Sequence, residues 1–393
     1  MNFVKKAQKY LKELHLDGWL LYDFRKTNEL AHICLKIPDK TTTTRRFFYW
    51  IPKEGEPIKL VHGIEPHILD AHPGQMKMYT SWQSLEEQLA DMLRGKRRVA
   101  MEYSPNNTIP YVSRVDAGTV DQIRSFGVEV VSSADFLAQF TSTLSPRQIE
   151  SQIQAGKALD RILQDVWAWI AQLLTHKKTL REYDVQQKII EEFTVRHMVT
   201  DHPPIVGVNA HSADPHYQPL KSSSSVIQMG DLILIDLWAK EKREDAIFAD
   251  ITRVAVAAHE PSEKQKKIFG VVRKAQLRAL ELIQECFQKK QRIEGWEVDD
   301  AAREVVQAAG FGKYFTHRTG HSIERTLHGS GAHIDNLETH DIRPLIPGSC
   351  FSIEPGIYLP GEFGIRLETD VLIHYDGSVQ ITGGQQEEIT SLY

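Results

Sequence analysis

The chain has 393 residues, of which 41% are hydrophobic and 25% are charged, and its formal net charge is −5. These proportions are those of a globular protein, and the length exceeds what one ordinary hydrophobic core supports, so we expect two domains. Because charges of both signs are interspersed, the chain has no broad basic field, which argues against a nucleic-acid partner.

The N-terminal residues and the cysteines bear on the cellular compartment. Residues 1–16 alternate lysines with apolar residues at helical spacing, so we expect an amphipathic helix and not a signal peptide. We expect no transmembrane span, because no apolar stretch reaches about 18 residues. The three cysteines are widely scattered, which favours a reducing compartment over a disulfide framework. The sequence therefore predicts a cytoplasmic protein with no membrane partner.

The first third of the chain alternates short apolar segments with helical patterns. Strand-like segments occur at residues 18–24, 45–52 and 98–103, and a helix is predicted at residues 84–95. This order is typical of a small α/β domain.

A break in the apolar rhythm follows in the segment TSTLSPRQIE. Ser145 as N-cap, Pro146 at the first helical position and Gln148 three residues after the serine predict a helix start. We therefore expect an N-terminal domain over residues 1–144 and a C-terminal domain over residues 145–393.

The C-terminal domain is predicted to combine long helices with apolar strands. Thr179 and Glu182 form a capping-box pattern at the start of one helix, and further helices are expected at residues 262–288 and 297–309. The strand-like segments are PPIVGVNA, DLILIDLWAK, IFADITRVAVAA, CFSIEPGIYL and GIRLETDVLIH.

Four acidic residues of this domain interrupt or end apolar strands. Asp236 ends LILID, Asp250 stands in IFADITR, Glu354 interrupts CFSIEPGIY, and Glu368 follows GIRL. A carboxylate that points inward at such a position is a buried charge, which is costly unless it is paired or bound to metal. Each of the four could instead lie at a strand end and face solvent.

The segment HRTGHSIERTLHG adds three histidines, His317, His321 and His328. A polar surface loop is the simplest interpretation of these residues. The alternative is a metal site, because four carboxylates and an imidazole suit two divalent cations and nearly balance their charge. Two such ions acidify bound water, so the chemistry implied is metal-assisted hydrolysis.

Six motifs carry a resemblance to a known superfamily: VGVNAHSADPHY, DLILIDLW, FADITR, HRTGHSIERTLHG, FSIEPGIY and GIRLETDVLI. Over roughly residues 200–375 the chain resembles the pita-bread metallopeptidases, which include Xaa-Pro aminopeptidase (aminopeptidase P), prolidase, methionine aminopeptidase and creatinase. The resemblance implies an α+β protein with a C-terminal pita-bread (creatinase/aminopeptidase) fold and a smaller N-terminal α/β creatinase-like domain. That smaller domain favours the aminopeptidase P and prolidase branch.

The resemblance also implies a set of metal ligands. Asp236 matches the carboxylate that chelates one ion, and Asp250 and Glu368 match the two bridging carboxylates. His321 and Glu354 match ligands of the second ion. The implied cofactors are two divalent metal ions, with manganese preferred and cobalt, zinc or iron also compatible with these donors.

The same motifs imply residues on the substrate side. His317 and His328 match neutral donors that hold the scissile amide and stabilise charge on its carbonyl oxygen, and His216 matches a further substrate-side histidine. Arg366 would orient the metal-binding carboxylates. Glu354 would serve as a proton shuttle in addition to binding metal.

The chain departs from the family pattern in three ways. Asp236 and Asp250 are fourteen positions apart, more than is usual, and Trp238 replaces a small residue. A longer charged hairpin tip would leave metal binding intact, and we prefer Asp250 to Asp245 because Asp250 has the DITR context. Glu324 stands where many relatives have glycine, and we expect it to narrow the pocket or to favour a positively charged substrate end.

The predicted function is dinuclear metal-dependent hydrolysis of the peptide bond preceding proline, by an Xaa-Pro aminopeptidase or an Xaa-Pro dipeptidase. A hydroxide that bridges the metals would be the nucleophile. The alternatives are a hydrolase of the same fold acting on a small non-peptide C–N bond, and a non-catalytic binding module. The expected partner is a proline-containing peptide substrate, and the resemblance suggests a homodimer.

Overall fold

The computed structural model describes residues 2–393. The chain divides into two compact units, Met1–Thr141 and Ser142–Tyr393. The domain boundary predicted near residue 144 lies a few positions after the start of the larger unit.

The smaller unit is built on one mixed sheet. Its strands are β1 (Gly18–Asp23), β2 (Phe47–Pro52), β3 (Ile58–His62), β4 (Gln75–Tyr79), β5 (Arg98–Met101) and β6 (Glu129–Ser132). Its helices are α1 (Phe3–Glu13), α2 (Glu29–Leu35), α3 (Trp82–Leu93), α4 (Ala117–Ser125) and α5 (Ala134–Thr141). The strands follow the order β4-β3-β2-β1-β5-β6, with β1 antiparallel to β2 and parallel to β5.

Apolar side chains of the central strand β1 are buried on both faces of the sheet. Trp19 and Leu21 pack in one hydrophobic core, and Leu20 and Tyr22 pack in another. Alternate side chains of a strand point to opposite faces, so both faces of this sheet are covered. A strand buried on both faces is expected to be a nearly continuous apolar run.

The larger unit combines long helices with three sheets. Its helices are α6 (Pro146–Thr175), α7 (Glu182–Val195), α8 (Glu263–Gln288) and α9 (Gly295–Ala308). Its strands are β7 (Met198–Val199), β8 (Ile205–Val208), β9 (Leu232–Glu241), β10 (Ala249–Val256), β11 (Cys350–Ile353), β12 (Gly356–Leu359), β13 (Phe363–Arg366), β14 (Thr369–Ile373), β15 (Val379–Thr382) and β16 (Thr390–Ser391). The sheet orders are β16-β10-β9-β7 with β8 also paired to β9, β11-β14-β15, and β12-β13. Within residues 2–393, no helix combines the length and apolar character that a membrane span needs.

Two helix starts test the capping predictions. The start at Pro146 is confirmed, because Ser145 caps α6 and forms the predicted capping box with Gln148. The cap predicted at Thr179 is wrong, since α7 begins only at Glu182. The carboxylate of Glu182 is fully buried and binds a neighbouring loop, so it does not serve as a capping residue.

Strands β9 and β10 lie between two hydrophobic cores of the larger unit. Along β9, Ile235 and Leu237 pack on one side, and Leu234 and Trp238 pack on the other. Asp236 therefore shares the side of Leu234 and Trp238. This alternation directs a carboxylate into an otherwise apolar layer.

Candidate metal centre

The β9–β10 hairpin places two carboxylates on one face. In the antiparallel register Asp236 lies opposite Thr252, and Asp250 lies opposite Trp238. Asp236 and Asp250 are therefore diagonal neighbours on the same face of the hairpin. Both side chains are buried.

The connection between these strands accommodates the unusual spacing. It comprises residues 242–248, so the additional charged residues lie outside the paired strands. Asp245 belongs to this connection, where its half-exposed carboxylate lies 2.5 Å from the Arg243 guanidinium. The inward position thus falls to Asp250 and not to Asp245.

Later segments bring further candidate ligands to the same place. Glu354 follows β11, and its N–H donates to the carbonyl of Thr319 at 2.7 Å. Glu368 lies between β13 and β14, and its N–H donates to the carbonyl of Thr252 at 3.2 Å. His321 stands two residues after Thr319, so the hydrogen bond from Glu354 to Thr319 brings Glu354 close to His321. Backbone hydrogen bonds therefore join regions that are distant in sequence.

The ligand atoms form a tight, buried group. One ligand atom from each of Asp250, His321 and Glu368 lies within 4.8 Å of the other two. His321 Nε2 lies 3.6 Å from Asp250 Oδ2 and 3.5 Å from Glu354 Oε1. Relative exposure is 4% for Asp250, 4% for His321 and 1% for Glu368. Water therefore screens the charges of these side chains only weakly.

Three carboxylate oxygens in this group lack a hydrogen-bond partner among residues 2–393. They are Asp236 Oδ1, Asp250 Oδ1 and Glu368 Oε1. Buried polar atoms without partners are rare because their desolvation is not compensated. Divalent cations would compensate it, since carboxylate oxygens and imidazole nitrogens are suitable ligands. The residues present therefore fit a divalent metal centre.

The charges of the group point the same way. Burial raises the pKa of the Asp250 carboxyl well above its usual range, and Glu368 and Asp236 raise it further by repulsion. Burial, with repulsion from Glu354 and Asp236, does the same to the pKa of Glu368. Burial also raises the pKa of Glu354 to about 7. Carboxylates this close are stable together when cations or protons neutralise them.

His321 presents the nitrogen that a metal needs. Burial lowers the pKa of its imidazole well below the usual range, so the ring is neutral. Its Nδ1 lies 3.2 Å from the carbonyl oxygen of Ser322, which can only accept, so Nδ1 carries the proton. The lone pair of Nε2 then faces Asp250 and Glu354.

His317 is held between two polar partners at the site. Its Nδ1 lies 2.7 Å from the carbonyl oxygen of Arg318 and therefore donates, so Nε2 accepts from the Tyr358 hydroxyl at 2.8 Å. Burial, helped by the nearby Arg366 guanidinium, lowers the pKa of His317 to about 3. In this arrangement His317 supports Tyr358 and has no N–H left for a substrate carbonyl.

His328 and His216 are the other two histidines that were predicted on the substrate side. The His328 ring lies 4.3 Å from the His321 ring, centroid to centroid, in an edge-to-face arrangement. Burial lowers the pKa of His328 to about 4, so this imidazole is neutral too. His216 is exposed, and its backbone N–H donates to Asp214 Oδ1 at 3.1 Å.

Arg366 connects several groups of the site. Its Nη2 donates to Asp236 Oδ2, its Nε donates to the Thr252 hydroxyl at 3.0 Å, and its Nη1 donates to the Tyr358 hydroxyl at 3.0 Å. The Thr252 hydroxyl in turn donates to Glu368 Oε2 at 2.6 Å. The guanidinium thus orients one carboxylate directly and another through a threonine.

One cavity of about 900 Å³ collects these residues. Every residue that the sequence analysis assigned to the site lines it: Asp236, Asp250, His321, Glu354, Glu368, His216, His317, His328 and Arg366. The structure therefore brings the predicted ligands and the predicted substrate-side residues to a single place.

Glu324 lies elsewhere, contrary to the expectation that it narrows the pocket or meets a charged substrate end. It is buried and is not among the described residues that line the cavity. Its carboxylate accepts from the N–H groups of Ser330 and Gly331 at 2.8 and 2.9 Å and from the Ser322 hydroxyl at 3.0 Å. Glu324 therefore closes the loop that carries His328.

Three residues that shape the site, Thr252, Tyr358 and Glu182, are among those for which the sequence predicted no such role. Thr252 stands two positions after Asp250, and this spacing on a strand was the signal that it shares the same face. Tyr358 belongs to the motif FSIEPGIY but was assigned no role. Glu182 was interpreted as a capping residue, and no local pattern revealed its contact with a distant loop.

The chain is similar in sequence to known peptidases. A family model described as metallopeptidase family M24 matches residues 150–375. The probable dipeptidase PepE of Mycobacterium tuberculosis is 31% identical over 265 residues, which are 67% of this chain and 65% of that protein. The Xaa-Pro dipeptidase of Lactobacillus helveticus is 31% identical over 244 residues, 62% of this chain and 61% of that protein. The sequence matches thus span a little less than two thirds of these relatives.

Similarity in structure extends further along the chain. The crystal structure of dipeptidase PepE from Mycobacterium ulcerans superposes with a TM-score of 0.71 at 23% identity, over 99% of this chain and 97% of that one. The expected α+β class is confirmed, with a C-terminal pita-bread fold and a smaller N-terminal α/β domain.

Proposed function

Because the chain belongs to metallopeptidase family M24, we propose that it hydrolyses the peptide bond preceding proline, as an Xaa-Pro dipeptidase or an Xaa-Pro aminopeptidase. The names of its relatives, which include an Xaa-Pro dipeptidase and probable dipeptidases, support this substrate class. The observation that carries the proposal is the convergence of the buried residues Asp236, Asp250, His321 and Glu368 on one cavity, with carboxylate oxygens that lack a hydrogen-bond partner among residues 2–393.

We assign two divalent ions to this centre. Asp236 would chelate one ion, His321 and Glu354 would bind the other, and Asp250 and Glu368 would bridge them. When bound, such ions polarise the scissile carbonyl and lower the pKa of a bound water. Manganese is the proposed metal, with cobalt, zinc or iron compatible with the same donors.

The residues around the ligands would bind the peptide and move protons. Glu354 is the proposed proton carrier between water and the leaving nitrogen, since its carboxylate lies beside the other candidate ligands, and a positioned carboxylate can accept and return a proton. His328 and His216 would donate to the carbonyl oxygen as it gains charge. His317 would hold the Tyr358 hydroxyl, and Arg366 would hold Asp236 in the orientation that metal binding requires.

We also propose a cytoplasmic location and a homodimeric assembly. The absence of cysteine pairs among residues 2–393 is compatible with a reducing compartment, because Cys34, Cys286 and Cys350 are all free thiols. The homodimer is proposed from the resemblance alone.

Hydrolysis of a peptide panel tests the proposal. Protein stripped of metal and reloaded with manganese should cleave Xaa-Pro dipeptides or longer Xaa-Pro-Xaa peptides, and should leave Met-Ala peptides and creatine intact. His321→Ala should abolish cleavage because it removes a ligand. His176→Ala, a change at an exposed position of the same unit, should retain activity.

The pattern of cleavage decides between the branches. Turnover of dipeptides alone indicates a dipeptidase, and turnover of longer peptides indicates an aminopeptidase. If the metal-loaded protein cleaves none of the proline peptides, the Xaa-Pro assignment is wrong, and a small non-peptide substrate or a binding function replaces it.

A further inference from the structure

Trp238 lies beside the candidate metal ligands, but it has no role in the metal centre proposed above. It stands two residues after Asp236 on β9, so both side chains point to the same face. It also lies directly opposite Asp250 on β10. Side chains opposite each other on antiparallel strands have Cβ atoms about 5 Å apart. The indole is therefore a direct neighbour of two of the carboxylates.

Two contacts fix the orientation of this ring. Its Nε1 donates to Asp201 Oδ1 at 2.8 Å, and its apolar body packs in the hydrophobic core with only 7% of the residue exposed. Asp201 follows β7, which pairs with β9 in the same sheet. The hydrogen-bond partner thus comes from the exposed loop that follows the neighbouring strand, and this hydrogen bond together with the packing of the ring opposes its rotation.

Trp238 is part of an apolar wall on one side of the cavity. Ile205, which lies opposite Asp236 on β8, and Leu327 line the same cavity and are buried. We call Ile205, Trp238 and Leu327 the apolar wall. Much of the remaining lining consists of charged groups and histidines, so the apolar wall offers a substrate a hydrophobic surface next to the candidate ligands.

A rigid indole at this point limits the space beside the scissile bond. A small apolar side chain fits against the ring and gains from leaving water. A longer side chain would require the ring to move, which its packing and its bond to Asp201 oppose. A charged side chain would lose hydration without a partner on this wall.

We propose that Trp238, held in place by Asp201, is a specificity-determining residue that restricts the substrate residue against the apolar wall to small apolar side chains. This inference rests on the proposed function, because it presumes that a peptide is cleaved in this cavity. Asp201 acts through Trp238 and is therefore a positioning residue.

The test compares variants in two series of dipeptides. The first series varies Xaa in Xaa-Pro through alanine, leucine and phenylalanine, and the second replaces the proline of Ala-Pro by the larger pipecolic acid. Trp238→Ala should raise kcat/KM for the larger members of one series relative to Ala-Pro by about tenfold or more, because one methylene already alters selectivity about tenfold in an apolar pocket.

Asp201 provides a test that keeps the buried ring. Asp201→Ala frees the indole and should shift selectivity in the same direction by about fivefold, the effect of one lost hydrogen bond. Asp201→Asn keeps an acceptor oxygen and should retain the wild-type ranking. Trp296→Ala is the matched control, since its Nε1 also donates to a carboxylate, Glu294 Oε2 at 2.8 Å, but it is outside the described cavity lining.

Calorimetric binding of the same peptides separates this inference from the proposed function. If the wild type turns peptides over and neither Trp238→Ala nor Asp201→Ala changes the ranking in either series, the inference is overturned. If peptides bind without turnover, a changed size preference of the variants in binding still supports the wall and rejects only the peptidase. If no peptide binds to the metal-loaded protein, both proposals are rejected.

Discussion

Two carboxylates of the site, those of Asp236 and Glu368, bind the protein through one oxygen only. Asp236 accepts from Arg366 through Oδ2, and Glu368 accepts from Thr252 through Oε2. The other oxygen of each lacks a partner among the described residues. One oxygen is thus fixed by the protein while the second is available to a cation, so these candidate ligands are oriented in the absence of a metal.

The predictability of individual residues follows from how unusual their settings are. An acid such as Asp236 or Asp250 in an apolar strand is costly, and that cost is visible in the sequence. Hydroxyls such as those of Thr252 and Tyr358 are common in strands, so even the spacing that puts Thr252 on the face of Asp250 does not by itself predict a contact with the candidate ligands. Asp201 was missed because its contact with Trp238 arises only when the loop after β7 meets β9 in the folded chain.

The smaller unit also contains a fully buried carboxyl, that of Glu102. Glu102 is fully buried and accepts from Trp19 Nε1 at 2.6 Å, Asn28 Nδ2 at 2.9 Å and the Ser133 hydroxyl at 3.2 Å. These donors favour the charged form, but burial outweighs them and raises the pKa of Glu102 to about 7. The folded chain therefore binds this proton more tightly than the unfolded chain does.

This shift predicts a pH dependence of stability. Because the pKa rises from 4.5 to about 7 on folding, the contribution of Glu102 is complete below about pH 4.5 and is lost as the pH rises through about 7. The loss is on the order of 3 kcal/mol at pH 8, since each pKa unit corresponds to about 1.4 kcal/mol. Hydrogen exchange of the β1 amides in the full chain measures it.

Glu102→Gln cannot ionise, so it should lack this loss. The stability of wild type relative to Glu102→Gln should fall between pH 5 and pH 8. Glu129→Gln, a change at an exposed position of β6, should show no such trend against wild type. A difference between wild type and Glu102→Gln that stays constant with pH would refute the assignment.

At the scale of elements, the β9–β10 hairpin was largely predictable and its surroundings were not. Alternation along β9 directed Asp236 inward, and charged residues at the tip indicated a longer connection. The position of Glu324 could not be predicted, because its partners Ser330 and Gly331 come from the fold of its own loop. The sequence around Glu324 does not specify whether its carboxylate points into the cavity or towards the backbone of its own loop.

Helix α7 shows tertiary contacts overriding a local signal. Its first residue, Glu182, accepts from the N–H of Val208 at 2.8 Å and from the N–H of Ser225 at 2.6 Å. The Tyr217 hydroxyl donates to the same carboxylate at 2.8 Å, and His211 Nδ1 lies 2.9 Å from it. Glu182 therefore anchors both ends of the loop that carries His216.

Loosening this anchor should affect catalysis. Glu182→Gln replaces one acceptor oxygen with a donor, so the loop around His216 should lose its fixed position. Activity toward the best proline peptide should fall about tenfold or more, because misplaced groups at an active site are costly. The change should lie mainly in kcat, with the metal content retained, as measured by steady-state kinetics and metal analysis.

Glu191→Gln is the matched control for this prediction. It lies on the same helix, in an exposed position, and should leave the kinetic constants unchanged. Equal effects of Glu182→Gln and Glu191→Gln, or an unaltered kcat in Glu182→Gln, would show that the loop does not depend on this anchor.

At the scale of the whole molecule, the order of helices and strands could be predicted. The contacts between loops that are distant in sequence could not. The α+β class and the succession of helices and strands follow from apolar periodicity and capping signals. The cavity, however, combines segments from residue 201 to residue 368 through backbone bonds such as that between Glu368 and Thr252. The inward-facing acids and the histidines suggested a shared metal site, and the resemblance to a family indicated which segments meet there.

Metal stoichiometry tests the central claim most directly. The claim is that Asp236, Asp250, His321, Glu354 and Glu368 form a centre for two divalent ions. Elemental analysis of reloaded wild-type protein should therefore find two ions per chain. Asp250→Asn should lose most of them because it weakens a bridge. Asp245→Asn, a change in the hairpin tip, should keep both.

The opposite results would contradict the claim. A wild-type chain that is folded but retains no divalent ion would show that the buried acids are neutralised by protons alone. Loss of metal in Asp245→Asn with retention in Asp250→Asn would place the ligand in the tip. Two ions in wild type and in Asp245→Asn, with loss in Asp250→Asn, is the predicted result.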